Sequence, residues 1–208
     1  TQPAVLSTDI ALTRLLEAYG IRPDMTMGHS LGEYGALVGA GAFNFHDALE
    51  AVSARGREMT RISVADTGKM AAVFAPIEEI EQVLKTIEGY VVIANINANR
   101  QAVIGGASDA VDKAVEACQK AGHHVVGLSV SHAFHTSIVA PASEPLLRTL
   151  ERLNLRPPEV PVVANVDGTF YPMNQDARAA MLQILARQVA APVQFVKGLQ
   201  TLYTAGAR

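Results

Sequence analysis

The chain has 208 residues, 49% apolar and 18% charged, with a formal net charge of −3 and one cysteine. That length holds one medium domain, or one with a small inserted unit, and the composition is that of a globular protein with a real core. The charge leaves no footprint for nucleic acid or an anionic membrane, one cysteine excludes an internal disulfide, and no run reaches the ~18 apolar residues of a membrane span. The cysteine usage suits a reducing cytoplasm. No signal peptide opens the chain, which starts at Thr1 almost inside a helix, as an excised segment of a longer protein would.

Residues 4–19 carry Val5, Leu12, Leu15, Leu16 and Tyr19 at helical spacing and run into Gly20, so a helix is expected there. A short strand over 24–28 then leads to a helix over 31–40. The stretch Met27-Gly-His-Ser-Leu-Gly-Glu-Tyr-Gly35 joins them and places Ser30 between Gly28 and Gly32 in a Gly-x-Ser-x-Gly pattern. A nucleophilic serine needs a strained strand-to-helix turn, and glycines two before and two after remove the clashes of bulkier neighbours. The helix that follows aims its first amides at developing negative charge. Composition alone yields the pattern ~0.05 times per chain, so it is only moderately specific, and a glycine-rich turn leaves the same trace.

Asn44, with Asp47 three residues on, reads as an N-cap pair opening a second helix. Its apolar stripe of Phe45, Ala48, Val52, Met59 and Ile62 also carries Arg55. A guanidinium on that face must be desolvated, which is expensive unless an anion meets it. A structural ion pair with a core acid such as Glu33 would serve; so would a bound anion.

Residues 69–128 read as a unit of their own. Strand 70–74 is followed by helix 76–87, with Ile77, Ile80, Leu84 and Ile87 on one side, then strands 90–95 and 101–104. Ser108 is expected to cap a helix reaching 121, and 123–128 is a last strand. The order βαββαβ is the split, ferredoxin-like arrangement. It carries no nucleotide or metal signal and is expected to form one wall of a cleft. Beyond it come a helix over 141–153, a strand over 160–166, a turn at Asp167-Gly168, and helices over 174–189 and 195–203. Cys118 falls on the Val111, Val115 stripe as a core thiol. Arg148, Arg152 and Arg156 read as a solvated helix face.

A serine hydroxyl at neutral pH needs a positioned base, normally an imidazole. Of the six histidines, His29 points away across the tight turn, His46 sits in a helix's first turn, and His123 and His124 open a strand. His132 and His135 remain, just past a strand end and among small residues. Their His-x-x-His spacing also occurs at metals, but no third ligand stands near, so no metal is expected.

Together, Gly28-His-Ser-Leu-Gly-Glu-Tyr34, Arg55-Gly56 and His132-Ala-Phe-His135 resemble the malonyl-CoA:acyl carrier protein transacylase family. In detail they are most similar to the acyltransferase domains of modular polyketide and fatty acid synthases. The resemblance extends through Gln2-Pro3-Ala4, residues 97–106 and Pro192-Val-Gln-Phe195. It implies an α/β fold: a hydrolase-like core with a parallel sheet, residues 1–68 and 129–208, interrupted by a ferredoxin-like subdomain, 69–128. The chain is expected to be truncated at both ends. Family members carry an upstream glycine-rich loop whose glutamine amide completes the oxyanion hole, and a closing strand beyond the last helix; neither falls within these residues.

Carried over by position, the resemblance implies Ser30 as nucleophile, on the elbow of Gly28, His29 and Gly32, and His135 as its base. Leu31 supplies an oxyanion-hole amide, and the main-chain carbonyl of Gln188 orients the imidazole. Arg55 holds the free carboxylate of a malonyl group in a two-bond fork. His132 and Phe134 form a selectivity motif whose bulk beside the substrate's C2 excludes a methyl branch. No bound cofactor is implied; the substrates are malonyl-CoA and the phosphopantetheine of an acyl carrier protein. That carrier and neighbouring synthase domains are the partners, in the cytoplasm, without nucleic acid or membrane. An α/β-hydrolase would instead need a carboxylate at a strand end between Ser30 and His135. The acids there, including Asp66, Asp109 and Asp112, fall in helices or their caps. A non-catalytic segment of a synthase is the third reading.

Overall fold

A computed structural model describes residues 1–208. In chain order the elements are α1 (Gln2–Ala18), β1 (Thr26–Met27), α2 (Gly32–Gly39) and α3 (Phe45–Thr60). Then come β2 (Lys69–Phe74), α4 (Ile77–Leu84), β3 (Val91–Ala98), β4 (Gln101–Gly106), α5 (Ser108–Lys120) and β5 (His124–Leu128). A 3-10 turn at Ser137–Ala142 runs into α6 (Ser143–Leu150), followed by β6 (Val162–Val163), α7 (Ala177–Gln188) and α8 (Phe195–Thr204). This is an α/β fold with one parallel and one antiparallel sheet.

The parallel sheet is small, with Thr26 opposite Val162 and Met27 opposite Val163. Around it the larger core packs Leu6, Tyr34, Leu37, Val52, Leu146, Leu150, Met181 and Leu185 from α1, α2, α3, α6 and α7. The α3 boundary forms where the sequence pattern puts it: Asn44 Oδ1 accepts from Asp47 N at 2.9 Å, filling an orphan donor of the first turn. Along its stripe Ala48, Val52, Arg55 and Met59 are buried, with Phe45 and Ile62 partly so.

The antiparallel sheet has the strand order β3-β4-β2-β5. Its two faces follow the period of two along each strand. Ala71, Val73, Ala102 and Ile104 pack under α4 and α5 with Ile80, Val111 and Cys118. Met70, Ala72, Ala94 and Val103 turn the other way, toward Ala133 and Phe134. The segment after α7 ties the two sheets' surroundings together. Val193 N donates to Ala94 O at 2.9 Å and Val193 O accepts from Ile96 N at 2.9 Å, so the Pro192-Val-Gln stretch docks along the β3 edge.

Several expectations need correction. The helix expected over 4–19 forms as α1, but the residues that marked it lie on its open side: Leu12, Leu15 and Leu16 are 55%, 53% and 49% exposed, and only Leu6 and Ile10 are buried. α1 packs chiefly against α2 and α3. Ser108 is not a cap acceptor. It is the first residue of α5, and the cap comes from Asp66, whose carboxylate accepts from Ser108 N at 2.7 Å, Ser108 Oγ at 2.6 Å and Gly68 N at 2.9 Å. The helix expected from 141 begins as the 3-10 turn at Ser137, where Thr136 Oγ1 accepts from Ile138 N at 3.3 Å. The two core strands shrink to two residues each, the length over which they pair with one another.

The two elbow glycines are not equivalent. A Cβ on Gly28 would lie 2.0 Å from the carbonyl carbon and oxygen of Gly32, whereas one on Gly32 would meet nothing within 4 Å. Gly28→Ala therefore forces backbone apart and should cost at least about 3 kcal/mol, read as a melting temperature lowered by roughly 6–12 °C. Gly32→Ala should stay within about 1 kcal/mol of the parent or exceed it, since alanine favours the helix. Equal losses in thermal denaturation would contradict this geometry.

Candidate active site

Ser30 stands between β1 and α2 with φ 53°, in the left-handed region that non-glycine residues avoid. The only other non-glycine residue in that region is His135, at φ 59°, and the two meet: Ser30 Oγ lies 2.7 Å from His135 Nε2. The tautomer follows from the far side of the ring. His135 Nδ1 faces two main-chain carbonyls, Gln188 O at 3.0 Å and Ala191 O at 3.1 Å. A carbonyl can only accept, so Nδ1 carries the hydrogen and Nε2 offers its lone pair to the serine. No carboxylate touches the imidazole. Burial, then the positive charge of Arg55, lower the His135 pKa from 6.5 to about 4, so the ring is neutral at physiological pH.

The elbow is braced from β6. Asn165, just beyond that strand, accepts from Ser30 N through Oδ1 and donates through Nδ2 to Gly28 O at 2.7 Å. One amide thus spans the turn on both sides. The amide of Leu31 at the mouth of α2 makes no hydrogen bond within the protein.

Arg55 is 3% exposed. Its Nη1 donates to Gln2 Oε1 at 2.9 Å, and its Nη2 to Ser30 Oγ at 3.2 Å and Gln188 Oε1 at 3.3 Å, while Nε has no partner. Burial lowers its pKa, but a guanidinium keeps its proton at any ordinary pH. The ion pair with Glu33 is not formed. Glu33 is fully buried and accepts instead from Tyr171 Oη, from Asn165 N at 3.2 Å and from Gln188 Nε2 at 3.0 Å. Its pKa is pushed up to about 7, chiefly by burial. A buried cation thus stands beside Ser30 without a protein acid to balance it.

These groups open onto a cavity of about 240 Å³ between the antiparallel sheet and the larger core. Gln2, Ser30, Arg55 and His135 line one side, Met70, Asn95 and Val103 the other. The volume lies below the usual range for a drug-sized ligand. Phe134 is on its wall; His132 is not. The His132 ring is buried behind Phe134, centroids 6.3 Å apart, with Nε2 on Ile62 O at 3.2 Å and Nδ1 unpartnered. His29 is exposed at the mouth, its Nε2 2.8 Å from Asn97 Oδ1. No three His, Cys, Asp or Glu side chains gather as a metal site.

Sequence reasoning missed Asn165, Gln2 and the second carbonyl, that of Ala191. Asn165 had a signal in hindsight, a polar residue closing the apolar run Val162-Val-Ala164. Gln2 and Ala191 had none, because nothing in a sequence says which distant segment will close a cavity.

Residues 1–207 match the family described as acyl transferase domain. The malonyl CoA-acyl carrier protein transacylase of Bacillus subtilis is 36% identical over 210 residues, a match covering 99% of this chain and 65% of that protein. The spectinabilin polyketide synthase system protein NorB of Streptomyces orinoci is 33% identical over 208 residues, which is 9% of its length. Among solved structures, the malonyl CoA-acyl carrier protein transacylase from Clostridium perfringens superposes with a TM-score of 0.91 at 32% identity. That superposition covers 99% of this chain and 65% of that one. The chain thus spans about two thirds of the single-enzyme relatives it matches.

The His135 environment fixes a pH response. Protonating Nε2 removes the lone pair that faces Ser30, so reactivity falls as pH falls, and a lowered pKa postpones that loss. Acylation of Ser30, followed as kcat/KM between about pH 3.5 and 8, should keep its acid limb near pH 4. A limb at the ordinary imidazole value would contradict the buried, Arg55-facing ring.

Proposed function

We propose, from the premise that this chain belongs to the acyl transferase domain family, that it carries a malonyl group from malonyl-CoA to an acyl carrier protein. Ser30 Oγ attacks the thioester carbonyl while His135 Nε2 takes the serine proton. The oxyanion that develops meets the free amide of Leu31 at the start of α2. The carbon–sulfur bond breaks, the coenzyme A sulfur leaves with the proton from His135, and a malonyl ester remains on Ser30. The phosphopantetheine thiol of the carrier then attacks that ester, with His135 moving the proton in reverse. The carbonyls of Gln188 and Ala191 hold the imidazole and favour its charged form in each transition state.

One observation carries the choice of acyl group: the buried guanidinium of Arg55 beside Ser30, without a carboxylate of the protein to balance it. An acyl chain that ends in a carboxylate would complete it through a bidentate pair. Phe134 supplies bulk beside the bound acyl chain; His132 acts only through Phe134, at one remove. A hydrolase triad is disfavoured because His135 Nδ1 has carbonyl partners in place of an acid. The unit from 69 to 128 is taken as a ferredoxin-like subdomain inserted into a hydrolase-like core of 1–68 and 129–208. Neighbouring synthase domains would present the carrier, in the cytoplasm. No helix is long and apolar enough to cross a membrane.

Arg55→Ala tests the assignment. Two charge-assisted hydrogen bonds of about 1.5–3 kcal/mol each are lost, so malonyl transfer should fall by at least about a hundredfold. Acetyl transfer should hold or rise. Parallel rate measurements with malonyl-CoA and acetyl-CoA decide it, and an equal loss on both would refute the role of Arg55.

A further inference from the structure

Glu33 is a fully buried carboxylate with no part in the acyl transfer just described. It sits in the first turn of α2, three residues past the nucleophile, and every group that meets it donates: Tyr171 Oη to Oε1, Asn165 N and Gln188 Nε2 to Oε2. The third of these reaches the active site. The second hydrogen of Gln188 Nε2 goes to Ser30 O at 2.6 Å, and Gln188 Oε1 accepts from Arg55 Nη2 at 3.3 Å.

A primary amide has one donating end and one accepting end. With Glu33 and Ser30 O both accepting at Nε2, the oxygen of Gln188 has to face Arg55. Turning the amide over would set Nε2 against the guanidinium, donor against donor, and Oε1 against the carboxylate and a carbonyl. Gln2 holds the other side of the guanidinium less firmly, since its own Nε2 reaches only Met59 Sδ at 3.7 Å.

We propose that Glu33 is a positioning residue: by accepting from Gln188 Nε2 it fixes the Gln188 amide with its oxygen toward Arg55, and so aims the guanidinium at the free carboxylate of the acyl group. The inference rests on reading Arg55 as the clamp for that carboxylate. A carboxylate suits the task because Oε2, already met by two donors, presents no hydrogen that would stabilise the inverted amide. Glutamine at position 33 can reproduce the pattern, its oxygen toward Asn165 N and Gln188 Nε2 and its nitrogen toward Tyr171 Oη. Methionine, of similar length, cannot accept in this way.

The ratio of malonyl-CoA to acetyl-CoA acylation rates reads the effect, since a loss of fold alone lowers both rates together. Glu33→Met should lower that ratio roughly tenfold, the worth of about one hydrogen bond, and Glu33→Gln should restore most of it. In an Arg55→Ala background, Glu33→Met should leave the ratio where Arg55→Ala put it. Gln188→Met keeps the main-chain carbonyl that holds His135, so it should repeat the ratio change even if Glu33→Met does not fold. An unchanged ratio in Gln188→Met, equal losses on both substrates in Glu33→Met, or a further fall without Arg55 would each overturn the proposal. If Arg55→Ala alone leaves the ratio untouched, the clamp reading fails first, which is a different result.

Discussion

A positive charge withdrawn from water next to Ser30 is the constraint on which the rest of this structure turns. Burying an ion is costly unless an opposite charge and a full set of hydrogen bonds receive it. Arg55 has three acceptors, Gln2, Ser30 and Gln188, and all are neutral. The nearest acid, Glu33, is committed to Tyr171, Asn165 and Gln188 and contributes to Arg55 only at a distance. That arrangement leaves a net attraction for a small anion inside the cavity. After burial, the larger cause, it also helps keep His135 neutral, because a second positive charge beside the first is unfavourable.

Backbone strain is the second constraint, and it falls on the two residues that must meet. Ser30 and His135 both hold positive φ, at a cost of about 1–3 kcal/mol each. Each is held by an element distant in sequence. Asn165 at the end of β6 ties Ser30 N to Gly28 O. The end of α7 receives His135 through Val189 O at its amide and through Gln188 O and Ala191 O at its ring. The 2.7 Å contact between Ser30 Oγ and His135 Nε2 is therefore set by packed elements.

Much of this was legible in the sequence where one local rule acts alone. The Asn44–Asp47 cap, the strands over 70–74 and 101–104, and the α3 stripe with a cation embedded in it needed only neighbours at fixed spacing. What stayed illegible depended on tertiary partners. The apolar spacing over 4–19 marks α1 as a helix, yet periodicity cannot say whether another element lies against that face, and here Leu12, Leu15 and Leu16 are open. Ser108 has the composition of a cap, but Asp66, forty-two residues away, supplies the acceptor. Glycine spacing marked the elbow, whereas only three-dimensional contact distinguishes Gly28, which is sterically required, from Gly32, which is not. The same holds for His132 and Phe134, two residues apart in one motif, of which only Phe134 lines the cavity.

The central claim is that Ser30 takes up an acyl group with a free carboxylate and gives it to a thiol. Mass spectrometry of the protein mixed with malonyl-CoA, followed by peptide mapping, tests it most directly. The account predicts a malonyl ester on the peptide that contains Ser30, discharged far faster by a phosphopantetheine thiol than by water. An adduct on another residue, no adduct on folded protein, or discharge by water at the same rate would contradict it.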